Sequence, residues 1–354
     1  MSSIRDTAAT MSVDAIAALH APVLPHTICD LMAPALTATP SYVIDATLGM
    51  GGHSEAILTR FPQVHIIGID RDEDALALAG QRLQRFADRL TTVHATYDTI
   101  AEVVADRDLD GRIDAVLMDL GVSSLQLDED ERGFSYARDC ALDMRMDQRA
   151  PVTAATIVND ASERELARIL RLWGEERFAS RIARAIVTRR AEHAITTTGE
   201  LADLVRTAIP APARRHGGNP AKRTFQALRI AVNDELTILE RALPAAISVL
   251  RPGGRLIVES YHSLEDRMVK RAIQALSRVE IPHGLPIRAD AAESPLRPVT
   301  KGAVNATDDD IADNPRAASV RIRAAELVRN PTRDELNRLM TDHSRGYDTT
   351  RRKR

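Results

Sequence analysis

The sequence predicts an α/β protein, a Rossmann-like doubly wound sheet interrupted by an inserted helical domain. Three observations predict it. Short apolar runs alternate with helical patterns through residues 42–120. A glycine cluster, Gly49, Gly51 and Gly52, joins the first run to the first helical pattern. Residues 162–250 then read as helices with no strand between them, before a glycine turn leads into a further strand at 255–260.

Each element has its own signal. Residues 42–47 are a short apolar run ending in a turn, the pattern of a buried strand. Ser54–Arg60 reads as a helix start, and "HIIGID" (65–70) as the second strand. Leu76, Ala79, Leu83 and Phe86 recur at helical spacing, so a helix is expected over 74–86. Thr91–Ala95 and "DAVLMDL" (114–120) are the third and fourth strands. Helices are expected over 162–192 and 196–209, and one or two more over 222–250. A threonine in "TTTGEL" (196–201) is placed to cap the second of these, with Glu200 in its first turn.

Bulk properties set limits. A chain of 354 residues with 44% apolar content can bury a full core. No run of about 18 apolar residues occurs, so no membrane span is expected. No basic segment followed by an apolar stretch opens the chain, so no signal peptide is expected. Cys29 and Cys140 are the only cysteines and form no C-x-x-C pair, which reads as a reduced, cytoplasmic protein. Residues 98–147 carry 14 Asp/Glu against 5 Lys/Arg, whereas 164–229 carry 14 Lys/Arg against 6 Asp/Glu. That segregation points to a polyanion contact on the basic segment, against the alternative of solvated arginine helices. Histidines show no metal-ligand spacing, and no metal is expected.

The chemistry-bearing words come next. Glycines at 49 and 51 let the backbone turn sharply and approach a ligand. Asp70, nineteen residues after Gly51, ends the second strand where an acid accepts hydrogen bonds from a ribose. A dinucleotide and S-adenosylmethionine both suit such a loop. Ser54 at the third position is a poor dinucleotide match. Asp119 ends the fourth strand, where ligands bind in open α/β sheets, with Ser123 and Ser124 close behind. An acid with hydroxyls there suits methylation of an exocyclic amine, whose lone pair is delocalised into its ring. Acceptors that draw on its N–H groups localise the pair and stabilise the developing charge. The structural alternative is that these residues cap the next helix. Ser260, His262 and Ser263 in "SYHSLEDR" could line the base pocket, with His262 taking a proton. Alternatively, Ser263 with Asp266 three later reads as a capping box. Phe134 and Tyr136 either flank a flipped base or pack the insertion.

With these words in view, the chain resembles the bacterial small-subunit rRNA cytosine-N4 methyltransferases. The matching stretches are "HAPVL" (20–24), "DATLGMGGHS" (45–54), "GIDRDEDAL" (68–76), "DLGVSSLQLDEDERGFSY" (119–136) and "LDMRMD" (142–147). They continue with "WGEERFASRIARAIV" (173–187), "PAKRTFQALRIAVNDEL" (220–236), "GGRLIVESYHSLEDRMVKR" (253–271) and "NPRAASVRIR" (314–323). The resemblance implies methyl transfer from S-adenosylmethionine to N4 of a cytidine in the decoding region of small-subunit rRNA. It implies cofactor contacts at Gly51, Gly52, His53, Asp70, Tyr97, Asp119 and Gln126, with Gly49 in the same loop. Tyr97 stands where the family usually has phenylalanine, and Tyr261 likewise. Leu125, Cys140-Ala141, Asn219 and His26 also depart from the family pattern.

Domain limits follow from the same reading: a flexible start (1–19), a methyltransferase domain in two parts (20–130 and 231–327), an inserted recognition domain (131–230) and a C-terminal extension (328–354). An rRNA partner, within the small subunit, explains the basic segment. Arg177, Arg181, Arg184, Arg214, Arg215, Lys222 and Arg223 are the candidate contacts. Arg177, Arg181 and Arg184 share a helix face by spacing. A homodimer is left open. The competing readings are a DNA amino-methyltransferase, a cofactor-holding ribosome-assembly factor that transfers nothing, and an NAD-dependent oxidoreductase.

Overall fold

The computed structural model describes residues 16, 21–123, 132–136, 139–214, 219–278 and 293–343. Expectations placed on Ser124, Leu125, Gln126 and Arg215, and on the side chain of Arg214, lie outside the described residues. So does almost all of the segment 1–19. The chain divides into two compact units, one formed by residues up to 121 together with 237 onward, the other by residues 122–236. The expected insertion limits of 131 and 230 fall inside the bounds of the second unit.

The first unit holds a seven-stranded sheet. Its strands are β1 (Ser41–Asp45), β2 (Val64–Asp70), β3 (Leu90–His94), β4 (Ile113–Asp119), β5 (Leu250–Ser260), β6 (Leu296–Pro298) and β7 (Arg321–Leu327), in the order β3-β2-β1-β4-β5-β7-β6. The first five run parallel, and β7 is antiparallel to both β5 and β6. This is the Rossmann-like arrangement, with the strand order reversing between β1 and β4. In such sheets ligands bind at that point, outside the carboxyl ends of the strands.

Helices in this unit are α1 (Pro25–Met32), α2 (Gly52–Arg60), α3 (Glu73–Arg82) and α4 (Ile100–Ala105), all before β4. One face of the sheet packs on α1 and α2 through buried Ile28, Met32, Val43, Ile57, Leu58, Ile66, Leu117 and Ile257. Central strands buried on both faces carry near-continuous apolar runs, which is why "VLM" before Asp119 is wholly buried. The expected helix over 74–86 ends early. It stops at Arg82, and Gln84–Phe86 forms a 3-10 turn.

The second unit is helical: α5 (Ala154–Asp160), α6 (Glu163–Trp173), α7 (Ala179–Arg190), α8 (Thr198–Ala208), a single turn at Ala211–Arg214 and the next long helix, α9 (Lys222–Asn233). The single helix expected over 162–192 is two. It breaks after Trp173 at Gly174, and Glu175 takes a left-handed φ of 48°. Arg177 therefore precedes α7 and shares no helix face with Arg181 and Arg184. Thr197 caps α8 by accepting from the Glu200 amide at 3.3 Å. A left-handed Asp234 (φ 53°) ends α9, and α10 (Glu235–Val249) follows.

The first unit also takes in most of α10, a short helix at Asp308–Asp313 and two longer helices. In α11 (Ser263–Leu276) the cap is His262, not Ser263. Its partner three residues on is Glu265, whose carboxylate accepts from the amides of Tyr261 and His262 at 3.0 and 3.2 Å. Asp266, expected as the partner, is instead held by Arg323 at 2.7 Å. The C-terminal extension carries α12 (Arg333–His343), started by Thr332, which accepts from the Glu335 amide at 3.3 Å. Among the described residues no helix is long and apolar enough to cross a membrane, and both cysteines are free.

Candidate functional site

The glycine loop is bound to both neighbouring strands. Ala46 N–H donates to Leu117 O and Leu48 N–H to Ile69 O, each at 2.9 Å, so the loop rests across the ends of β4 and β2. Gly49 (φ 53°) and Gly51 (φ 77°) both adopt the left-handed conformation that glycine takes at no steric cost. A Cβ on Gly51 would come within 2.7 Å of Leu83 Cδ1, so close packing also excludes a side chain there. Gly52 begins α2, and His53 and Ser54 follow on its first turn.

Asp70 reaches back to this loop. Its Oδ2 accepts from Gly49 N–H at 2.7 Å and its Oδ1 from Asp72 N–H at 2.9 Å. Burial pushes this carboxyl up to about 6, against the two amides that pull it down. Asp45, at the end of β1, accepts from Ser54 Oγ at 2.7 Å. Burial raises the Asp45 carboxyl too. Tyr97 opens a 3-10 turn just after β3.

Asp119 ends β4. Its backbone N–H donates to Thr47 Oγ1 at 2.7 Å, linking β4 to the loop. Its side chain lies beside His53, with Nδ1 3.6 Å from Oδ2, and its carboxyl hydrogen-bonds the Tyr261 hydroxyl. Burial is the main cause raising the Asp119 carboxyl, and His53 opposes it. The other oxygen, Oδ1, is buried without a hydrogen-bond partner.

The sequence reading missed Glu259. In the β4–β5 pairing Asp119 stands opposite Glu259. Paired residues of parallel strands project to the same face, so the two carboxyls are neighbours. Glu259 is fully buried (0%), and neither of its oxygens has a hydrogen-bond partner. Its Oε2 lies 3.2 Å from His53 Nε2, and that same nitrogen is 2.8 Å from the carbonyl of Val23. Burial, then Asp119 and Asp45, pushes the Glu259 carboxyl far above the usual carboxylate range. A glutamate inside an apolar strand word was the available signal, because such a residue is rarely buried without a partner.

His262 is committed locally. Its Nδ1 accepts from Glu265 N–H at 3.4 Å, and its Nε2 lies 3.2 Å from Glu265 Oε1. Ser260 Oγ is buried with no partner. Ser123 falls within the second unit.

In the second unit, Arg177, Arg181, Arg184, Lys222 and Arg223 are exposed. Arg184 faces Glu163 at 3.6 Å with both side chains largely solvated, a pair of little energetic weight. Arg177 lies over the Phe178 ring, 5.7 Å from its centroid. Of the aromatic pair considered for base flanking, Phe134 is buried, and the half-buried Tyr136 meets Phe225 edge-on at 5.7 Å. The Cys140-Ala141 departure costs no local order. Cys140 N–H donates to Thr198 Oγ1 at 3.1 Å, and its carbonyl accepts from Thr198 N–H at 2.9 Å.

The family model described as the MraW methylase family matches residues 17–328. A protein from Nocardioides sp. named ribosomal RNA small subunit methyltransferase H is 57% identical, over 87% of this chain and 96% of its own. Proteins of the same name from Pseudarthrobacter chlorophenolicus and Kocuria rhizophila are 56% and 54% identical, each over 88% of this chain and 95% of theirs.

Proposed function

The chain belongs to the MraW methylase family, and from that membership we propose that it methylates the exocyclic N4 amine of a cytidine in the decoding region of small-subunit rRNA. The methyl donor is S-adenosylmethionine. The observation that carries the reading is Asp119 at the carboxyl end of β4, its side chain 19% exposed, with Oδ1 unpartnered and the glycine loop beside it.

The residues present fit that donor. Gly49, where a Cβ would meet only the Thr47 carbonyl at 3.9 Å, leaves the loop backbone open to close approach, Gly51 lets the loop turn tightly against Leu83, and Asp70 offers a carboxylate for ribose hydroxyls. Tyr97 offers an aromatic face for the adenine. Orphaned oxygens on Asp119 and Glu259 suit the positive charge of the donor's sulfonium and ammonium groups. The third position, Ser54, is spent on Asp45, which suits a ligand with no pyrophosphate to cradle.

A bound donor would supply an electrophilic methyl group, its S–C bond breaking as the methyl leaves and the bonding pair staying on the neutral thioether. The protein's part is alignment and proton handling. Asp119 accepts an N–H of the amine and so localises its lone pair toward the methyl carbon. As the new N–C bond forms, positive charge grows on N4, and the carboxylate stabilises it. The proton then leaves N4 for Asp119. Tyr261, whose hydroxyl bonds Asp119, and His53 hold that carboxyl in place. The exposed arginines of the second unit supply phosphate contacts for the RNA.

The test uses labelled S-adenosylmethionine with small subunits from cells lacking the activity, followed by nucleoside analysis. N4-methylcytidine is expected. Its absence, with donor binding demonstrated, would overturn the enzymatic reading in favour of a non-catalytic assembly role.

A further inference from the structure

Three acids meet one base in the interior of the first unit. Asp45, Asp119 and Glu259 end or nearly end three adjacent strands, and His53 lies against the last two. The imidazole has two nitrogens but three oxygen neighbours: Asp119 at 3.6 Å, Glu259 at 3.2 Å and the Val23 carbonyl at 2.8 Å. With every carboxyl ionised, even a doubly protonated His53 would leave net negative charge among groups that are almost wholly buried, Asp119 alone keeping 19% of its side chain exposed. Buried charge without a counter-charge takes up a proton instead.

We propose that Glu259 carries a proton in the free protein and releases it when the cationic methyl donor binds, so that the site favours the sulfonium donor over its neutral thioether product. The inference rests on the proposal that this site binds S-adenosylmethionine. It adds a proton release and a selectivity that the methyl-transfer reading does not require. Glu259 fits the role because it is fully buried, its oxygens have no hydrogen-bond partner and it stands opposite Asp119. Donor binding brings a positive sulfonium to the carboxyl ends of the strands. A cation nearby favours the ionised carboxyl, and the displaced proton passes to solvent. The product lacks the sulfonium charge and draws out less of that proton. Product release after transfer is thereby assisted.

The groups facing Glu259 and its partners are Asp45 on β1, His53 on α2, Asp119 on β4, Tyr261 after β5 and Glu265 on α11. Asp70 also titrates, near 6, but its ribose is common to donor and product. The difference between the two ligands therefore isolates the charge-sensed proton.

The experiment is calorimetric binding of S-adenosylmethionine and S-adenosylhomocysteine to the full chain. Buffers of different ionisation enthalpy count the protons released. The wild-type protein is expected to release up to about one proton more with the donor than with the product. Its preference for the donor is expected to grow with pH, by at most about tenfold per pH unit. Glu259→Gln, isosteric but unable to ionise, should bind both ligands with equal proton counts. Equal counts for the two ligands in the wild-type protein would overturn the inference even if the variant fails to fold. A folded Glu259→Gln that retains the wild-type difference would assign the proton elsewhere and also overturn it. Failure of the donor to bind at all would instead sink the methyl-donor reading.

Discussion

The backbone amide of Gly49 donates to the Asp70 carboxylate at 2.7 Å, tying the glycine loop after β1 to the acid that ends β2. One contact thus orders both parts of the nucleoside pocket before a ligand arrives. Loop and acid are a single device.

Loss of that acid should be felt in donor affinity. Asp70→Asn is expected to weaken S-adenosylmethionine binding roughly tenfold to a hundredfold, the worth of hydrogen bonds to a charged acceptor. The wild-type protein should lose affinity as pH falls through about 6, where Asp70 takes up a proton. Folding runs the opposite way. A carboxyl raised above its unfolded value contributes stability fully below that value and loses it as pH rises through about 6. Calorimetric titration across pH 5–8 separates the two, and an unchanged affinity in Asp70→Asn would remove the residue from the pocket.

Asp119→Ala should cut methyl transfer by roughly a thousandfold, the scale of losing an electrostatic and proton-accepting group. The fold should persist, since Oδ1 has no partner to lose and the other contacts are confined to Tyr261 and His53. Single-turnover assays of N4-methylcytidine formation decide it. Near-normal rates would mean that another group receives the proton.

Gly51→Ala tests the loop. The residue would need a left-handed φ of 77°, and its methyl would press on the buried Leu83 at 2.7 Å. A destabilisation of roughly 1–3 kcal/mol is expected from backbone strain and overpacking together. Denaturant melts measure it, and an unperturbed midpoint would show that the loop relaxes.

The C-terminal extension offers an acid test. Arg329 clasps Glu335 through two hydrogen bonds at 3.0 and 2.7 Å and holds its carboxyl down at about 2. A depressed folded value means that the stabilisation is present above the unfolded value and lost as pH falls through about 2. Hydrogen exchange in α12 should therefore accelerate in that acid range while the central strands stay protected. Glu335→Gln should bring the faster exchange to neutral pH, and identical exchange in the two proteins would discount the pair.

For RNA, Arg181→Glu with Arg184→Glu is expected to weaken rRNA binding and leave donor binding intact. The salt dependence should become shallower by about 0.7 in log–log slope for each phosphate contact removed. Unchanged affinity and slope would place the RNA on another surface.

Much of the sheet was legible because strands buried on both faces write continuous apolar words. The strands at 64–70 and 113–119 lie within one residue of the stretches expected for them. The helical break at Gly174–Phe178 was passed over: Gly174 and the apolar gap from Trp173 to Phe178 were its cues, but the left-handed turn falls on Glu175, a residue type that does not mark it. The cap of α11 was read one residue late. A histidine ring nitrogen serves as the cap there, which a search for hydroxyl caps passes over.

Spacing along the chain was enough to name the glycine loop, Asp70 and Asp119, since each sits at a strand end that local pattern marks. The meeting of His53, Asp119 and Glu259 could not be read that way, because residues from three elements far apart in sequence touch only when β4 and β5 pair in one register. Burial then decides their chemistry. A glutamate that would be an ordinary solvated acid on a surface becomes, beside Asp119 and with no surface exposed, a carboxyl pushed far above the usual range.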